Sequence, residues 1–178
     1  MAEVIGLTGQ TGAGKSTVRK LLKAKGAAVI DADFVAHEVA DNNLSCLTDI
    51  VEHFSCMVLD EKGKLNRRAL GRIVFSDRKK LALLNKIMFP YIVSAIKGQV
   101  TAYEQAGAQI IVIDGATLIE SGCAKMCSVL VSVTADEETR LTRIIHRDGI
   151  SKRDAVRRVS AQNPEEFYIK ASDYVIKN

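Results

Sequence analysis

The sequence predicts a three-layer α/β/α fold, with helices on both faces of a parallel sheet of about five strands. Three observations predict it. Short apolar runs alternate with stretches of helical periodicity. A glycine-rich loop joins the first apolar run to a helix, and aspartates close or follow two later runs, at Asp31 and Asp114.

Residues 3 to 8 read as the first strand, because Val4-Ile5-Gly6-Leu7 is apolar on both faces. Gly9 to Ser16, GQTGAGKS, is the loop. The next stretch, Lys15 to about Lys25, repeats Val18, Leu21 and Leu22 at helical spacing and stops near Gly26. Ala27 to Ile30 is a short buried strand that ends at Asp31, with Asp33 just beyond. From Phe34 to about Gly107 strand signals fade. Amphipathic patterns replace them, one over Asp77 to Ile87 and another through Tyr91 to Ile96, so a helical insertion is expected at about 34–107. Strands return at Gln109 to Ile113, ending in Asp114, and at Val129 to Val133, with a helix starting within Thr134 to Glu138. A last strand fits Asp173 to Ile176. The whole chain reads as one domain, its core over residues 1–33 and 108–178, with an arginine-rich lid at about 140–160.

Composition narrows the function classes. The 178 residues, 47% hydrophobic and 26% charged, suit an ordinary globular domain, and no repeat or low-complexity stretch interrupts them. MAEVIGLTG runs straight into the first strand, leaving no room for a basic segment, an apolar core and a cleavage site. No uninterrupted apolar span approaches membrane length, so a cytoplasmic protein without a membrane partner is expected. The net charge of +4 is small and lies beside few aromatics, which argues against nucleic acid and for anionic small molecules. Cys46, Cys56, Cys123 and Cys127 lack paired zinc spacing, and His37, His53 and His146 supply no matching ligands; free, partly buried thiols are expected.

The loop matches G-x-x-x-x-G-K-S in full. Its glycines let successive backbone N–H groups converge on phosphate oxygens. Lys15 adds a mobile cation, and Ser16 a hydroxyl suited to Mg²⁺. A Gly-rich structural turn is the alternative, but the strand-loop-helix setting favours phosphate. Asp33 suits a general base, held at the ligand edge of the sheet by a helix that begins near it; an N-cap would account for Asp31 or Asp33 equally well. Asp114 reads either as a carboxylate that steadies Mg²⁺ or as the start of an Asp-Gly turn. Arg140, Arg143 and Arg147 share a helical face, with Asp148-Gly149 as a turn beyond them. They suit a lid that clamps phosphates and spreads transition-state charge, against the alternative of a solvated basic face.

Taken in order, IGLTGQTGAGKS, VIDADFVAHEV, GKLNRRAL with VFSD, IDGATLIESG, RLTRIIHRDGIS with Ala155, Arg158 and Gln162, and the ending SDYVIKN resemble the dephospho-coenzyme A kinase family along nearly the whole chain. The resemblance implies a P-loop kinase fold and a phosphotransferase that uses ATP to phosphorylate the ribose 3′-hydroxyl of dephospho-coenzyme A, the last step of coenzyme A synthesis. It implies that Gly9 to Thr17, including Gly12, Ala13, Gly14, Lys15, Ser16 and Thr17, hold ATP and Mg²⁺, and that Asp33 activates the acceptor. The helical insertion, with Asp31, Arg67 and Arg68, would bind dephospho-coenzyme A. Arg140 would act in catalysis, with Arg143 and Arg147 beside it on ATP, in a monomer or weak homo-oligomer. Three features depart from the family pattern: Phe89 stands where histidine is usual before Pro90, Ala116 where proline is common, and the chain stops at Asn178 ahead of a customary closing helix.

Another small P-loop kinase, acting on a nucleoside monophosphate or a metabolite hydroxyl, is the nearest competing reading. A GTPase needs an Asn-Lys-x-Asp guanine reader, and Asn85-Lys86-Ile87-Met88 lacks its aspartate.

Overall fold

The computed structural model describes Met1–Asn178, which fold as two compact units, residues 1–31 with 99–178 and residues 32–98. The first unit holds a parallel sheet of β1 (Glu3–Thr8), β2 (Ala28–Asp31), β3 (Ile110–Asp114), β4 (Val129–Thr134) and β5 (Tyr174–Lys177), in the spatial order β2-β3-β1-β4-β5. Each strand is short and rich in β-branched side chains, and β3 and β4 are buried along most of their length, as strands covered on both faces must be. Register is tight: Leu7 pairs with Asp114 and with Val131, and Asp31 with Asp114. β1 lies at the centre, where connections leave in opposite directions across the sheet, so the loop after it opens at the topological switch point.

Helix α1 (Lys15–Ala24) follows that loop. Val18 and Leu22 turn inward onto the cluster of Leu7, Ala13, Ala27, Val112 and Val133, while Lys20 and Lys23 stay in water. The same unit carries α6 (Leu118–Ser121), α7 (Glu137–Asp148), α8 (Lys152–Ser160) and α9 (Glu165–Ala171). α7 is capped by Asp136, whose carboxylate accepts from the Thr139 N–H and hydroxyl, and it ends at Gly149 in the left-handed region (φ 62°). Ser151 caps α8, and Ile144, Ala155 and Val159 bury the seam between α7 and α8.

The second unit is helical. α2 (Ala32–Asn42), α3 (Leu44–Phe54) and α4 (Arg67–Val74) precede α5 (Arg78–Gln105), whose last turns belong to the first unit. Asn43 and Asn66 cap α3 and α4, accepting from Cys46 N and Ala69 N. The Tyr91 hydroxyl donates to Asp49 Oδ2 at 2.6 Å, tying α5 to α3.

Several boundaries differ from the sequence reading. The two amphipathic stretches around Phe89-Pro90 form one 28-residue helix with Pro90 inside it. Proline removes one backbone donor, and the buried Leu84, Ile92 and Ile96 on either side keep the helix packed through that gap. At this length α5 is apolar enough, by length and composition, to cross a membrane, although Lys86 and Lys97 interrupt its apolar run as the sequence reading has it; the Tyr91–Asp49 bond and the buried Leu84, Ile92 and Ile96 tie it to its own unit. β2, β3 and β5 each sit one residue further along than expected, because Asp31, Asp114 and Lys177 continue their ladders. β4 runs one residue longer than expected, to Thr134, while the next helix starts at Glu137, within the expected Thr134 to Glu138.

All four cysteines are free. Burial pushes the Cys46 thiol up to about 11, with Asp49 adding to it, and pushes Cys127 up to about 12. Cys123 is also raised by burial, whereas Cys56 is exposed in a short 3-10 turn (Cys56–Val58).

Candidate active site

The loop from Gly9 to Gly14 is a backbone cradle shaped by close approach. At Gly9 (φ 133°) a Cβ would lie 2.2 Å from the Val133 carbonyl oxygen, so only glycine lets β1 turn beside β4. Gly14 (φ 103°) occupies the cap position of α1 and supplies no side-chain cap, which leaves the first N–H groups of that helix directed at the loop's concavity. Ala13 is fully buried, and its N–H bonds the Gln10 carbonyl at 3.2 Å; Thr17 N bonds Gly14 O at 3.0 Å. Lys15 is half-buried and folds back, Nζ donating to Gly9 O at 2.8 Å and Gln10 O at 3.4 Å, so its charge rests on the cradle's own carbonyls. Ser16 and Thr17 lie exposed in the first turn of α1.

The cradle is also fastened from outside. Arg143 Nη1 donates to the carbonyls of Gly12 and Ala13 at 3.2 and 3.3 Å, and Asn178 Nδ2 donates to Ala13 O at 3.0 Å. The link between α8 and α9 reaches it too: the Thr11 N–H donates to Gln162 Oε1 at 2.8 Å, and Gln10 Nε2 donates to Asn163 O at 2.9 Å. Asn163 Nδ2 in turn donates to Glu120 Oε1 at 2.7 Å. Gln10, Gln162 and Asn178 all figure in the motif pattern without a task of their own. Only their nearness to the cradle marks them, and a single sequence does not carry it.

The arginines of α7 take three different situations. Arg140 is buried, 5% exposed, with its main chain against Gly12; its Nε and Nη1 have no hydrogen-bond partner in the fold. It lies within electrostatic reach of Tyr168, whose hydroxyl is pushed up to about 12 by burial and by Glu120, with Arg140 opposing them. Arg143 is on the cradle. Arg147 is exposed and engaged with its neighbour, Nε to Asp148 Oδ1 at 2.7 Å and Nη2 to Asp148 Oδ2 at 3.0 Å. Arg158 joins the same carboxylate, so Asp148 lies below the usual carboxylate range, chiefly through the Arg147 bond.

At the ends of β2 and β3 stand Asp31 and Asp114. Arg19 of α1, which the sequence reading passed over, bonds both, at 2.6 Å to Asp31 Oδ2 and 3.1 Å to Asp114 Oδ2. Its signal was faint: a basic residue four after Lys15 on a helix normally marks a solvated face. Asp33 lies exposed in the first turn of α2. Arg67 of α4 is held by Asp41 at 2.9 Å and by the His37 carbonyl at 3.0 Å, and Arg68 is exposed beside it.

The donors suit Mg²⁺ brought in by a nucleotide. Ser16 offers a hard hydroxyl oxygen and Asp114 a carboxylate, and a small cation that keeps its waters needs one or two such oxygens besides the phosphates.

The family model described as Dephospho-CoA kinase matches residues 3–178. A dephospho-CoA kinase of Arabidopsis thaliana is 41% identical over 98% of this chain and 75% of its own length; one of Lactobacillus johnsonii is 33% identical over 100% of this chain and 90% of its own. Among solved structures, one from Thermus thermophilus superposes with a TM-score of 0.82 at 32% identity, covering 99% of this chain and 88% of the other. The dephospho-CoA kinase of Campylobacter jejuni gives 0.70 at 28%, over 100% and 89%. A shikimate kinase of Acinetobacter baumannii, at 0.51 and 14% identity over 100% and 84%, shares the fold alone.

Proposed function

We propose that this chain, which belongs to the dephospho-CoA kinase family, transfers the terminal phosphoryl group of ATP to the ribose 3′-hydroxyl of dephospho-coenzyme A, giving coenzyme A and ADP. The observation that carries the reading is the uncapped N-terminus of α1 beneath a glycine loop at the switch point of the sheet. That geometry binds phosphate through backbone dipoles, and it lies in a chain whose family likeness runs from residue 3 to 178.

Each side chain then has a task. The cradle N–H groups hold ATP phosphates together with Gly12, Ala13, Gly14, Ser16 and Thr17. Lys15 moves from its own carbonyls onto phosphate oxygens, exchanging neutral acceptors for anionic ones. Arg140 answers a phosphate oxygen with the N–H groups that have no partner in the fold. Arg143 steadies the loop, and Arg147 reaches ATP by releasing Asp148. The Asp33 carboxylate accepts the proton of the 3′-hydroxyl as its oxygen bonds the terminal phosphorus and the bridging oxygen departs with ADP. Mg²⁺ bound with ATP, at the Ser16 hydroxyl and near Asp114, would neutralise phosphate charge. Asp31 at the end of β2, with Arg67 and Arg68 of the helical unit, binds the acceptor. The working protein is cytoplasmic, a monomer or weak homo-oligomer.

The test is coupled ADP release with ATP and Mg²⁺ across dephospho-coenzyme A, nucleoside monophosphates, uridine and shikimate. Turnover confined to dephospho-coenzyme A is expected; turnover confined to another acceptor overturns the assignment and favours a different small kinase of the same fold.

A further inference from the structure

Arg19 is anchored on α1 but works at the ends of two strands. β2 and β3 are parallel neighbours in register, Asp31 opposite Asp114, and paired positions on adjacent strands project to one face of the sheet. Two carboxylates so placed repel each other and draw in a proton or a cation. The guanidinium of Arg19 meets both through Nη1. Asp114's side chain is only 9% exposed, so water screens its charge poorly and the neutralising partner must come from the protein. An ordinary surface ion pair would have two exposed partners; this one has a buried carboxylate and a shared cation.

We infer that Arg19 is a positioning residue, a built-in counter-ion that fixes Asp31 and Asp114 and keeps them from taking a divalent ion on their own, so that the metal arrives with the nucleotide. The last clause rests on the kinase reading above; the rest stands on the strand register and the two ion pairs.

The test is a titration of the nucleotide-free protein with Mn²⁺, followed by its electron paramagnetic resonance, with circular dichroism confirming that each variant is folded. Arg19→Ala and Arg19→Gln are expected to bind one Mn²⁺ at least tenfold more tightly than the wild type. Arg19→Lys, which keeps a cation, is expected to return to the wild-type value, and adding Asp114→Asn to Arg19→Gln to abolish the gain. A gain below tenfold in the folded neutral variants overturns the inference. So does a wild-type protein that already takes Mn²⁺ as tightly without nucleotide, a result that needs no variant to fold. The titration contains neither ATP nor acceptor, so a wrong acceptor assignment leaves it untouched.

Discussion

In the proposed reaction Lys15 and Asp33 divide the chemistry between charge and proton. Lys15 is held by the carbonyls of Gly9 and Gln10, so its removal takes a phosphate cation away without opening the apolar core. Lys15→Ala is expected to lower kcat by at least ~10²-fold with an unchanged circular dichroism spectrum; normal turnover would remove the cradle from the reaction. Asp33 is exposed in the first turn of α2, where a carboxylate also favours the helix dipole. The structural alternative is separable from the catalytic one, because Asp33 lies inside the first turn and not at the cap, so Asn there removes only a helix-dipole contact worth about 0.3–1 kcal/mol, yet it cannot take a proton. Asp33→Asn should therefore bind ATP normally, by calorimetry, and lose ~10²–10⁴-fold in turnover. Activity near wild type would leave Asp33 as a helix-starting residue only. The cradle was legible at this scale because its residues are contiguous and their chemistry is local. Arg19 was not, since its importance depends on Asp31 and Asp114 being neighbours, and 83 positions separate them along the chain.

Helix α7 shows how an element is set by its ends. Asp136 holds the first turn through Thr139, and Asp148 gathers Arg147 and Arg158 at the last, so both carboxyls lie below the usual 3.8. A carboxyl depressed in the folded state stabilises it above the unfolded pKa and loses that contribution as pH falls through the folded one. Both ends of α7 should thus loosen below about pH 4. The acid limb of thermal melting is expected to be shallower in Asp136→Ala and Asp148→Ala than in the wild type; identical limbs would show that neither end matters. The same helix explains a partial success of the sequence reading. Periodicity located Arg140, Arg143 and Arg147 on one element, but it could not say that Arg140 is buried against Gly12 while Arg147 turns to Asp148, because burial is decided by what packs on the helix. α5 joins two stretches that periodicity locates separately, Asp77 to Ile87 and Tyr91 to Ile96, because packing of Leu84, Ile92 and Ile96 carries the helix through Pro90.

For the molecule as a whole, the proposed phosphate-binding residues lie entirely in the unit that carries the sheet, and nucleotide should stabilise that unit by mass action. ATP with Mg²⁺ at a hundredfold excess over Kd adds about 2.7 kcal/mol, a shift of several degrees in melting temperature that should shrink in Lys15→Ala. An equal shift in both proteins would mean that ATP binds elsewhere. Strand number and direction were legible because apolar runs bounded by polar residues are characteristic of buried parallel strands. Their spatial order, with β1 between β3 and β4, was not, and that order is what brings the strand-end carboxylates side by side. The sulfur atoms have a practical bearing. Three of the four thiols are disarmed by their surroundings and the fourth, Cys56, faces water on the helical unit, so a fluorophore or spin label can be attached there without deleting any native sulfur.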